Sequence, residues 1–212
     1  MNTIKSFETK TLDAREGYRL LTSIVVPRPI AWVSSMDSDG STNLAPYSFF
    51  NAVGNAPPTI MISVGRRKGV HIKDTLRNIT ETKEFVVNIA DMKLSEKMVY
   101  TSGEWSHGIS EFEKAGLDAI PSVLVKSPRV KEAPVSLEAK ATQIVPLEGT
   151  VSTMVLGHIV YFHVRQDLLR EDGSVDASLL DPVLRLGGKE YATLGKVFSM
   201  IRPKVEETAN NK

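Results

Sequence analysis

Four cations fall within eight positions, Arg66, Arg67, Lys68 and Lys73, and Asp74 and Thr75 follow at once. They separate a β-rich apolar run, Thr59 to Val64, from a helix expected to open at Asp74. Cationic side chains beside the amides of a helix start favour an anion, a phosphate above all. The other reading of such a charge run is a solvated surface loop. A second group, Ser34, Ser35, Asn43 and Ser48, brackets a turn, with Leu44, Ala45, Tyr47, Phe49 and Phe50 interleaved. These residues offer hydrogen bonds and an apolar wall to a ligand, or they serve only to satisfy the turn.

Single residues add weaker candidates. Arg28, between Pro27 and Pro29, has little backbone freedom and could reach a ligand or pair with a carboxylate. Trp32 is either core or a stacking platform, and Tyr191 could serve either purpose. A period-two reading of Thr153 to Val164 sets His158 on an apolar face with Leu156, Val160 and Phe162. It turns His163 the other way, as a candidate for an open site.

Several chemistries are missing. No Gly-x-Gly-x-x-Gly follows a strand, and Gly65 to Gly69 lacks the ending of a phosphate loop. The four histidines show no ligand spacing, so no metal is expected, and no serine sits in Gly-x-Ser-x-Gly. The absence of cysteine removes disulfides, thiolate metal sites and thiol nucleophiles, and suits a reducing cytoplasm. A net charge of +1 gives no global field for nucleic acid or a membrane surface, and no apolar run reaches the length of a span.

The elements that must carry these residues are short. The segment Ile24 to Ser35 reads as an edge or bulged entry followed by a strand from about Ile30, because the prolines remove ladder donors. Asp37 to Gly40 turns the chain back into a strand over Thr42 to Ala52. Next come a buried strand at Thr59 to Val64, a helix capped by Asp74, and a strand at Phe85 to Ile89. Two short helices are expected between Leu94 and Gly116, the second with Ser110 and Glu113 as a capping box. Strands resume over Val135 to Val145 and Thr153 to Val164, and Asp172-Gly173 forms a turn. The pattern predicts a mainly β fold, an antiparallel barrel with short peripheral helices, in one domain over residues 1–204 with a polar tail over 205–212.

Two motifs go further: Arg28-Pro29-Ile30-Ala31-Trp32-Val33-Ser34-Ser35, and Asn43-Leu44-Ala45-Pro46-Tyr47-Ser48-Phe49-Phe50-Asn51. In order and spacing, with Pro57-Pro58, Lys73-Asp74-Thr75, Glu84 to Asn88, Leu186-Gly187-Gly188 and Arg202-Pro203, they resemble the flavin reductase-like FMN-binding split-barrel family. The resemblance is greatest to its flavoredoxin and two-component monooxygenase reductase branch. It implies a Greek-key split barrel, FMN as cofactor, NADH or NADPH as reductant, and a homodimer. It also implies a monooxygenase or other protein as electron acceptor. In that reading Trp32, Ser34, Ser35, Asn43, Leu44, Ala45, Ser48, Phe49, Phe50, Arg66, Lys73, Asp74 and Thr75 contact the flavin, while Arg28, His163 and Tyr191 are catalytic candidates. A non-catalytic FMN electron carrier, or a barrel that binds another ligand without flavin, are the alternatives.

Overall fold

The computed structural model describes residues 3–66 and 72–203. Arg67, Lys68, His71 and the expected tail lie outside that set. In chain order the elements are α1 (Ala14–Ile24), β1 (Arg28–Pro29), β2 (Ala31–Met36), β3 (Thr42–Tyr47), β4 (Phe50–Asn55), β5 (Pro58–Gly65) and α2 (Asp74–Thr82). They continue with β6 (Glu84–Ile89), α3 (Ser95–Tyr100), α4 (Glu111–Lys114), β7 (Ala119–Ile120), β8 (Arg129–Val130), β9 (Val135–Pro146), β10 (Ser152–Val164), α5 (Ala177–Leu180), β11 (Leu184–Arg185) and β12 (Tyr191–Ala192).

Seven strands form one antiparallel sheet in the order β3-β2-β6-β9-β10-β5-β4. Its two edges, β3 and β4, are consecutive in the chain with only Ser48 and Phe49 between them. The sheet therefore curls until its edges meet at that corner without a ladder joining them, which makes the barrel split. Ser63 N donates to Phe49 O at 2.8 Å and fixes the corner on β5. From β5 the chain crosses over β10 and β9 through α2 before entering β6, a Greek-key connection.

Alternation along β2 divides two cores. Ala31 and Val33 point into the barrel with Ile60, Ile62, Phe85 and Val155, and α2 adds Leu76 and Ile79. Ile30 and Trp32 point outward and pack with Leu44, Met98 and Phe112 beneath α3 and α4. Each such side chain, fully buried, contributes about 1.5–3 kcal/mol. Both faces of β2 are covered, which accounts for its unbroken burial from Ala31 to Ser35.

Several local expectations need correction. Helix α1 precedes the first element expected from the sequence; Asp13 and Glu16 form a complete capping box at its start. The strand expected over Thr42 to Ala52 breaks at Ser48–Phe49, because the barrel corner bends the chain. The α2 cap is Lys73, with Asp74 the first helical residue. Ser110 does cap α4, but its hydroxyl pairs with Thr42 Oγ1 at 3.1 Å instead of closing a box with Glu113. The strand at Thr59 to Val64 is buried on one face only.

On β10 the period-two face is wrong. Residues 153 to 159 keep a regular alternation, but the odd-numbered set, Val155, Gly157 and Ile159, enters the barrel; the extra residue at Val160 comes only after it. Gly157 is required there: a Cβ would stand 2.6 Å from Phe85 Cζ.

Candidate functional site

Strand β3 and the start of α2 meet over Thr75. Its Oγ1 accepts from Asn43 Nδ2 at 2.8 Å and from Tyr47 OH at 2.9 Å. A hydroxyl has two acceptor positions and one proton, so both acceptors are taken and the proton remains to be donated. Around this hub lies a cavity of about 320 Å³ lined by Asn43, Ala45, Tyr47, Arg66, Lys73, Asp74 and Thr75, with the chain from Thr101 to Glu104 as its far wall and Glu111 at its base. Helix α2 directs the positive end of its dipole here. The Asp74 carboxylate is engaged by Arg77 and His107, and Glu111 Oε2 accepts from Leu44 N at 2.9 Å. Lys73 Nζ stands 5.2 Å from the centre of the Tyr47 ring.

A second cavity, about 420 Å³, opens at the barrel corner between Ser48, Phe49, Phe50, Arg28, Ser63 and Met154. Arg28 donates to Thr22 O at 2.7 Å, Val25 O at 2.5 Å and Leu186 O at 2.9 Å. It thereby closes the C-terminal carbonyls of α1. No carboxylate pairs with it among the described residues, and burial lowers its pKa. The ion-pair reading of Arg28 is thus replaced by carbonyl capping, with Arg28 Cζ 5.9 Å from the centre of the Phe49 ring.

The residues selected from the sequence fall into three groups. Asn43, Ala45, Arg66, Lys73, Asp74 and Thr75 share the first cavity, and Ser48, Phe49 and Phe50 border the second. Trp32, Ser34, Ser35 and Leu44 have no exposed surface and lie a layer beneath. Trp32 Nε1 donates to Thr101 Oγ1 at 2.9 Å, and Ser34 Oγ to Pro128 O at 2.5 Å. Ser35 Oγ accepts from Asn78 Nδ2 at 3.2 Å. Their work is to hold the walls: Trp32 anchors the Thr101 loop that bounds the first cavity.

His163 is not in an open site. Its Nε2 meets Glu138 Oε1 at 2.6 Å, and that fully buried carboxylate also accepts from Val123, Leu124 and Val125 amides. His158 is half-buried on the outer face of β10, the reverse of the expected core position. Tyr191 borders a third cavity that none of the other candidates lines. The sequence reading overlooked Thr101 to Glu104 and Glu111, which reach the first cavity by long-range packing that no local pattern announces. Among the described residues no cluster of metal ligands occurs, and no helix is long and apolar enough to cross a membrane.

Residues 23–189 match the family model described as the flavin reductase like domain. The chain belongs to the flavin reductase-like family. Among solved structures, nitrilotriacetate monooxygenase component B from Bacillus cereus is 37% identical, superposes with a TM-score of 0.90, and matches over 94% of this chain and 100% of its own. The 2-nitrobenzoate 2-nitroreductase of Pseudomonas fluorescens is 36% identical with a TM-score of 0.85, over 97% of this chain and 100% of that one. Flavoredoxin of Desulfovibrio vulgaris is 27% identical with a TM-score of 0.73, over 83% and 91% respectively.

Proposed function

We propose that this flavin reductase-like protein binds FMN and works as an NAD(P)H-dependent flavin oxidoreductase. The observation that carries this is the donor set of the first cavity. Arg66, Lys73, the N-terminal end of α2 and the remaining Thr75 proton converge where Asn43 and Tyr47 already hold Thr75 in place. That set suits a phosphate dianion, and cavities of this size suit small ligands. The second cavity continues along the same two chain segments: Tyr47 and Arg66 border the first, Phe49 and Ser63 the second. Three strand residues span about 10 Å, a separation suited to a phosphate and a ring joined by the five-carbon ribityl chain.

In this reading Arg66, Lys73 and Thr75 bind the phosphate, while Arg77 and His107 engage the Asp74 carboxylate and offset its charge. Phe49 and Phe50 give the ring an apolar wall, with the Ser48 corner supplying polar groups and Arg28 a nearby positive charge. When bound, FMN supplies the redox chemistry, taking a hydride from NADH or NADPH and delivering electrons to a monooxygenase or other acceptor protein. The protein's part is geometry and charge, so no side-chain acid or base is needed. We further propose a homodimer, and the cysteine-free chain suits the cytoplasm in which we place it.

The likeness to flavoredoxin favours one second reading, a carrier that keeps FMN and is reduced by a protein partner. Purified protein with a flavin absorption band that bleaches in stopped flow with NADH or NADPH supports the reductase. A stable band that neither reductant bleaches supports the carrier, and a colourless protein that ignores added FMN rejects both.

A further inference from the structure

Beyond β12 the chain runs on through residues 194–203 as an arm outside any helix or strand. Four of its side chains are large, apolar and turned to water: Val197 is 53% exposed, Phe198 72%, Met200 85% and Ile201 96%. Its charged residues in this stretch are Lys196 and Arg202, with no acid. Scattered exposed apolar residues are ordinary, but four within five positions make a patch that needs a cover.

The chain also carries a groove of matching character. About 650 Å³ lies between the α3 region and β12, walled by Met92, Val99, Tyr100, Val183 and Tyr191, with Glu96 the one charged lining residue among the described residues. β12 is an open edge of the small β1-β11-β12 sheet, so its outer backbone groups are available to a further strand. The chain's own arm leaves the groove rim at Thr193 and carries Phe198 into water, so it does not fill the groove.

We infer that the arm of one copy lies in this groove of a second copy, pairing with the β12 edge, seating Phe198 and Ile201 against the apolar walls and bringing its cations to Glu96. A transient electron acceptor would leave the patch bare between encounters, whereas a second copy covers it permanently, and an apolar arm with a basic character suits an apolar groove holding one carboxylate. The exchange has a consequence for the site. Tyr100 walls the groove while Thr101 to Glu104, next in the chain, wall the phosphate cavity, so each arm braces its partner's ligand site from behind.

The inference goes beyond the flavin assignment and does not need it. The natural chain contains no cysteine, which makes single thiols decisive. Differently tagged Phe198→Cys and Val99→Cys chains, co-expressed and mildly oxidised, should give a disulfide-linked pair containing one of each, and neither variant alone should do so. Phe198→Glu with Ile201→Glu in the otherwise unaltered chain should raise the dimer dissociation constant at least tenfold in sizing experiments while the circular dichroism spectrum is kept. Absence of the mixed pair, an equal yield of Phe198→Cys self-links, or a monomeric natural chain overturns the exchange. The flavin absorption spectrum of the same samples reports separately on FMN, so failure of one reading is distinguishable from failure of the other.

Discussion

Replacing Thr75 with Val tests the hub of the phosphate cavity while preserving side-chain shape. The loss is confined to one oxygen, which accepts at 2.8 Å from Asn43 and at 2.9 Å from Tyr47. Both donors belong to buried residues, and a buried donor deprived of its acceptor costs about 1–3 kcal/mol. Two such losses sum to about 2–6 kcal/mol against the 5–15 kcal/mol typical of a folded domain, so the binding comparison is made on protein whose urea curve shows a folded baseline. Ligand binding loses one hydrogen bond to a charged acceptor, about 1.5–3 kcal/mol, which is about a 10- to 100-fold rise in the dissociation constant for FMN. Fluorescence-quenching titration gives the affinity, and urea unfolding gives the stability. Thr75→Ser keeps the oxygen and should bind within about threefold of the natural chain on the same reasoning. A Thr75→Val chain that is destabilised yet binds FMN like the natural protein would refute the assignment of the hydroxyl to phosphate.

Lys73→Met should weaken FMN binding by about 10-fold and flatten its dependence on salt, as titrations at low and high ionic strength would reveal; an unchanged salt slope counts against a phosphate contact. Glu138 concerns acid stability. Burial alone would raise its pKa, but the His163 bond and the Val123 and Leu124 amides outweigh that and hold it below the ordinary 4.5. Its carboxylate therefore contributes fully above that ordinary value, and the contribution is lost as pH falls through the lower, folded value. Glu138→Gln should cost about 2–4 kcal/mol near neutral pH and shallow the acid limb of a stability-against-pH curve, so an acid limb matching the natural one contradicts the scheme. Gly157→Ala drives a methyl to 2.6 Å from Phe85 Cζ in a filled core and should lower Tm by about 2–10 °C in a calorimetric scan, whereas an unshifted Tm means Phe85 has room to move.

The barrel was readable wherever burial and periodicity coincided. Phe85 to Ile89 and the Asp37 to Gly40 turn stand where the apolar run and the turn residues put them. Helix α1 was signalled by the Asp13 and Glu16 capping box and by an amphipathic pattern that sets Tyr18, Leu21 and Ile24 on one face, although that face is exposed and not buried. The faces of β10 were misread because alternation fixes two faces without saying which one enters the barrel; the close approach of Phe85 to Gly157 sets the odd-numbered face inside, and that depends on a distant strand. At the site, Lys73 and Thr75 were visible as a cationic helix entrance. Trp32, Ser34 and Ser35 were read as contacts because residue type reports hydrogen-bonding capacity, not depth, and their partners Thr101, Pro128 and Asn78 come from distant segments.

The reach of Arg28 also sets an order of events during synthesis. One of its three carbonyl acceptors belongs to Leu186, 158 residues downstream, and among the described residues its strand β1 pairs with β11 alone. At about 5–20 residues per second a ribosome needs roughly 8–30 s to make that stretch. Until then the nascent amino-terminal segment holds a guanidinium with an acceptor still unmade, and a message truncated ahead of Leu186 yields a chain whose first helix is never fastened to the rest.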